Sequence, residues 1–125
     1  MAIAACAASA GAHAALVPEH IADERALGVA FIAATLALAG AAVLLIAAPG
    51  SSSAPGAVAL LLAALIGAYC LNVTTGLPWL ADTPEPVDGV GIATKFVEAL
   101  GLVFALQLNP TIGGHGPLTH KEARP

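Results

Sequence analysis

The sequence predicts an all-α integral membrane protein, an up-down four-helix bundle with short loops. Three observations carry that prediction. Hydrophobic residues make up 58% of the 125 and charged residues only 10%, whereas a soluble domain carries about 25% charged residues. Mean hydropathy is +0.89. Long uncharged runs alternate with short breaks rich in Pro, Gly and acid. Alanine supplies 31 residues and glycine 13, against three Phe, one Tyr and one Trp. Helices of that composition are thin and smooth and can approach one another closely.

The first segment, residues 1–17, has no charged side chain but is Ala-rich and contains His13. It reads either as a short first transmembrane helix or as a secretory signal, since Ala8-Ser9-Ala10 and Ala12-His13-Ala14 resemble small-residue cleavage sites. No Lys or Arg precedes the apolar run, as a signal's n-region requires, so a retained helix is the expectation. The second segment, 26–48, is uncharged and long enough at 1.5 Å per residue to cross a hydrocarbon core of about 30 Å. Pro49-Gly50 and Ser51-Ser52-Ser53 close it. The third, 55–73, opens on Pro55, which suits a first helical turn because its missing N–H is not needed there. Thr74 and Thr75 can cap the carbonyls freed where it ends, Gly76 permits the turn, and Trp79 suits the interfacial aromatic belt. The fourth segment spans 90–108 and contains Lys95 and Glu98. Residues 1–108 thus form one helical bundle, and 109–125 read as a polar, disordered tail.

Eight carboxylates against four Lys or Arg give a net charge of −4. No basic stripe exists, so neither nucleic-acid binding nor a polybasic lipid anchor is expected. Lys121 and Arg124 place the C-terminus in the cytoplasm by the positive-inside rule. Four spans then put 18–25 and 74–89 outside, where Glu19, Asp23, Glu24, Asp82, Glu85 and Asp88 cluster with Arg25. Cys6 and Cys70 lie in apolar runs without CxxC or zinc-ligand spacing and read as small buried hydrophobes.

Two constellations could carry chemistry. Pro18 is expected to end the first helix and to start another, on which His20, Asp23 and Glu24 share a face at i, i+3 and i+4. With His13, if the chain folds back at Val17-Pro18, these residues could hold copper or zinc. The plainer alternative is an interfacial helix start with solvated acids. On the last helix, Lys95 and Glu98 are three apart. Lys95 is expected to snorkel to the outer interface. Glu98 lies near mid-helix, where an ionisable group is costly unless it is paired or faces the bundle interior. Asn72-Val73-Thr74 matches a glycosylation sequon, but its place at a helix end reads as chance. Ser51–Ser53 has no His or Asp placed with it, Gly113-Gly114-His115-Gly116 lacks the context of a phosphate loop, and His115 and His120 read as tail residues.

The order His13-x-x-x-x-Pro18-Glu19-His20, then Thr74-Thr75-Gly76-Leu77-Pro78, Pro84-Glu85-Pro86-Val87 and Glu98 resembles a family of small four-helix membrane proteins of actinobacteria and related bacteria. The resemblance covers residues 13–106. In that family a charged residue usually precedes the TTGLP motif, where this chain has Asn72 and Val73, and an acid usually follows PEPV by four residues, where it has Gly91. The resemblance implies no enzymatic activity. Some family members are encoded near copper or cupredoxin-type proteins, and small accessory subunits of larger complexes fit the same description.

The leading functional expectation is therefore a non-catalytic accessory or structural subunit of a larger membrane complex, partnered by the bilayer and by larger membrane proteins or copies of itself, with no cofactor. The alternative is a copper- or zinc-handling or proton-linked membrane protein using His13, His20 and Glu98. A small transporter is a third, weaker fit.

Overall fold

The computed structural model of the chain describes residues 1–77, 80 and 83–109. Four α-helices carry the fold: α1 (Ala2–Asp23), α2 (Arg25–Ala47), α3 (Ala54–Thr75) and α4 (Gly89–Gln107). Each is long and apolar enough to cross a membrane, and no β-strand occurs among the described residues. The helices form a ring in which each packs on its chain neighbours and α4 closes against α1. The α1–α2 seam is the most extensive and the α2–α3 seam the sparsest.

The first boundary differs from expectation. Pro18 does not end the first helix; α1 runs through it to Asp23. Proline lacks the N–H that would bond to Ala14 C=O, yet helices in apolar surroundings tolerate it because neighbouring groups satisfy the freed carbonyl. Residues 18–23 are thus helix, and the reversal falls on one residue. Glu24 is extended (φ −145°, ψ 105°), donates its N–H to His20 C=O at 2.8 Å, and accepts from Gly28 N–H at 3.0 Å. So sharp a hairpin needs a glycine, since a Cβ on Gly28 would lie 2.7 Å from the Cα and N of Ile21.

The other ends follow local chemistry. Pro55 lies in the first turn of α3, and Ser51 Oγ accepts from Ala54 N–H at 3.2 Å. At the far end, Thr74 Oγ1 donates to Cys70 C=O at 2.7 Å and Thr75 Oγ1 to Leu71 C=O at 3.2 Å. Gly76 then adopts φ 75°, a left-handed value that favours glycine. Asp88 caps α4, its Oδ1 accepting from Val90 N–H at 2.7 Å and Gly91 N–H at 2.8 Å. Asp88→Ala is expected to cost about 1 kcal/mol, read as a lower unfolding midpoint in detergent with m unchanged.

Small residues fill the centre. Cys6, Ala10, Ala41, Ala42, Ala59 and Ala105 pack with Leu38, Val58 and Leu62. Gly101 lets α1 and α4 meet, since a Cβ there would be 2.7 Å from that of Ala5. Many large side chains point outward: Leu36, Leu60 and Phe96 are each more than 60% exposed. Both cysteines are free, but only Cys6 is buried; Cys70 is exposed on α3, because a helix apolar all round has no face that must turn inward. Trp79, Asp82, Lys121, Arg124, His115, His120 and the tail from residue 110 lie outside the described residues.

Candidate functional site

Glu98 is the centre of the polar interior. It is completely buried on α4, and both carboxylate oxygens are occupied. Ser9 Oγ, from α1, donates to Oε1 at 2.6 Å, and Lys95 Nζ donates to Oε2 at 2.6 Å. Lys95 therefore turns inward rather than snorkelling outward. Its side chain is 15% exposed, and its ammonium lies 5.6 Å from the centroid of the Tyr69 ring. The buried carboxylate offers more than the interface does, because an unpaired charge in an apolar interior is costly and the salt bridge offsets that cost.

His13 is the third group at this centre. Its Nδ1 lies 2.9 Å from Ser9 C=O. A carbonyl only accepts, so Nδ1 carries the proton. The same nitrogen is 3.4 Å from Ser9 Oγ, a long contact, and Nε2 is 3.9 Å from Glu98 Oε1. His13, Ser9 and Glu98 thus form a directed series in which the ring N–H points to the Ser9 oxygens and the Ser9 hydroxyl donates to the carboxylate.

This cluster lies beside a cleft of about 700 Å³ lined by all four helices and by the 83–88 connection. His13, Lys95, Thr94 and Tyr69 line it, together with Phe31 and the mouth acids Glu19, Asp23, Glu24, Glu85 and Asp88. His20 also lines the cleft, and its Nδ1 is 3.6 Å from Glu85 Oε1. Glu85 Oε2 accepts from Asn72 Nδ2 at 2.8 Å, and Glu85 N–H donates to Asn72 C=O at 3.3 Å. The connection is thereby tied to α3 across the mouth.

The proposed metal set is not assembled. Among the described residues, no three His, Cys, Asp or Glu are grouped to hold a metal ion. The chain does not fold back at Pro18, so His13 and His20 stay two turns apart on one helix. The Phe31 ring packs against both, with centroids at 5.3 Å and 4.1 Å. Each histidine faces its own carboxylate, Glu98 or Glu85. Asp23 and Glu24 line the cleft mouth, and Glu24 has left the helix that would have aligned it with His20.

Several participants escaped sequence reasoning. Ser9 looked like part of a small-residue run, although its i, i+4 spacing to His13 was a usable signal. Phe31, Tyr69 and Asn72 carried none, since their roles depend on helix rotation. The chain matches no family model, no curated protein and no solved structure.

Proposed function

We propose that this chain is a multi-pass membrane protein with a proton-exchanging site, in which Glu98 communicates through Ser9 and His13 with water in a cleft open at one end of the bundle. One observation carries the reading: a completely buried carboxylate whose neighbours Lys95, bonded to it, and His13 both line the cleft wall. An ion pair that only locked helices together would be equally served by a packed, dry surrounding. An ionisable group within a membrane span is by default a functional one.

The proton path needs no other group. Neutral His13 takes a proton from cleft water at Nε2 and becomes imidazolium. It releases the Nδ1 proton towards Ser9 Oγ as the Ser9 hydroxyl proton moves to Glu98 Oε1. Glu98 becomes neutral, and Lys95 stays charged. The reverse sequence returns the proton. By the positive-inside rule applied to Lys121 and Arg124, the acidic mouth faces outward and the C-terminus lies in the cytoplasm.

The test is infrared difference spectroscopy of the reconstituted protein after a pH jump. The wild type is expected to show a carboxylic-acid band that is absent from Glu98→Gln. Ser9→Ala and His13→Phe should keep the band but slow its appearance by about 10²-fold, the usual worth of a positioned proton-transfer group. An identical spectrum for Glu98→Gln would remove the proposal.

A second observation favours the accessory-subunit reading. A groove of about 370 Å³ between α1 and α4 is lined by Ala8, Ser9, Ala12, Gly89 and Ala93 with Val90, Thr94 and Val97, and its small residues are of the kind that let another helix approach closely in a membrane. A partner chain co-purifying in fixed ratio, and lost on Ala12→Leu, would support it.

A further inference from the structure

Away from Glu98 the cleft changes character. Among the described residues, five carboxylates, of Glu19, Asp23, Glu24, Glu85 and Asp88, line it, and Lys95 is the one Lys or Arg in that lining. Lys95 is already paired with Glu98. Such a lining attracts cations. Of the other titratable groups on these walls, His13 and His20 face Glu98 and Glu85, and Tyr69 is the third.

A separate observation indicates what kind of cation. Asn72 is 6% exposed, and its Oδ1 has no hydrogen-bond partner among the described residues. The Tyr69 hydroxyl, one turn earlier on α3, is likewise buried without a partner. Leaving such groups unpaired in the interior is costly. An amide oxygen only accepts and a phenol oxygen can accept, so both are suited to N–H donors. Anions are repelled here, and a quaternary ammonium has no N–H to give. The remaining walls are mostly apolar and include Leu16, Leu27 and Leu65.

We infer that the cleft binds a primary ammonium group carried on an apolar body, with the ammonium donating to Asn72 Oδ1, Tyr69 Oη and Glu85. Both unpaired oxygens are covered, so the ammonium reaches them by displacing a neighbouring side chain. Glu85, whose carboxylate accepts from Asn72 Nδ2 and whose side chain hangs from a connection rather than a helix, is the neighbour that shifts. A soluble aryl- or alkylamine and the ethanolamine headgroup of a lipid share this chemistry. The inference rests on reading the cleft as a working site but does not require the proton path through Glu98.

The experiment uses the full chain in nanodiscs of phosphatidylcholine, which has no primary amine, with empty discs as the blank. Calorimetric titration compares phenethylammonium with its N,N,N-trimethyl analogue and with 3-phenylpropionate. Saturable binding of phenethylammonium is expected, with the trimethyl analogue about 10-fold weaker or worse and no binding of the carboxylate. Asn72→Leu and Glu85→Gln should each weaken phenethylammonium by about 10-fold, the loss of one charge-assisted hydrogen bond. Equal affinity for the two ammonium ions, or no binding of either, overturns the inference even if a variant fails to fold, because that comparison needs only the native chain. Native mass spectrometry from discs of mixed phosphatidylethanolamine and phosphatidylcholine separates the sources. Preferential retention of phosphatidylethanolamine assigns the lipid, and equal retention alongside phenethylammonium binding assigns a soluble amine. Glu98→Gln separates the two proposals: amine binding with no Glu98-dependent infrared band leaves this inference standing and removes the proton path.

Discussion

Lys95→Met is expected to destabilise the bundle by about 3–5 kcal/mol, the cost of leaving a buried partner charge uncompensated. Glu98 has no exposure, so water does not readily replace the ammonium, and among the described residues Ser9 would remain as its one hydrogen-bond donor. The double variant Lys95→Met/Glu98→Leu should recover most of the loss, because apolar residues of similar volume often replace a buried pair without net cost. Unfolding free energies of the two singles and the double, measured in one detergent, close the cycle. A coupling below about 0.5 kcal/mol would show that the pair holds nothing together.

Gly28→Ala is the second large effect. The added Cβ would meet the Ile21 backbone at 2.7 Å, and backbone atoms in the turn preceding a one-residue reversal have little room to yield. A loss of about 1–3 kcal/mol is expected from overpacking, and the α1–α2 seam, the largest in the bundle, must shift. Gly40→Ala on the same helix is the control. Nothing lies within 4 Å of its new Cβ, so alanine there should stabilise the helix by about 0.5–1 kcal/mol. Thermal unfolding of both variants checks the pair, and equal shifts would show that the close approach at Gly28 is not what permits the hairpin.

The set of spans and most of their ends are legible in the amino-acid sequence. Uncharged runs of bilayer length are read directly from composition. Pro55, Gly76 and the two threonines mark ends because each acts on backbone within a turn of itself. Lys95 and Glu98 could be seen as neighbours because three residues along a helix is one face. Pro18 misled because the same residue can begin a helix or pass through one. Which occurs depends on what else satisfies the freed carbonyl.

Which residues meet follows from how the helices pack. Ser9 reaches Glu98 across 89 positions of sequence, Phe31 packs against two histidines of another helix, and Asn72 finds Glu85 in a connection. These contacts depend on how each helix is rotated about its axis. In a soluble bundle an apolar stripe announces that rotation. Helices α2 and α3 are apolar on every side, so nothing local says which face turns inward. The rotation is set by close approach at Gly28 and Gly101 and by the need of one buried carboxylate for donors.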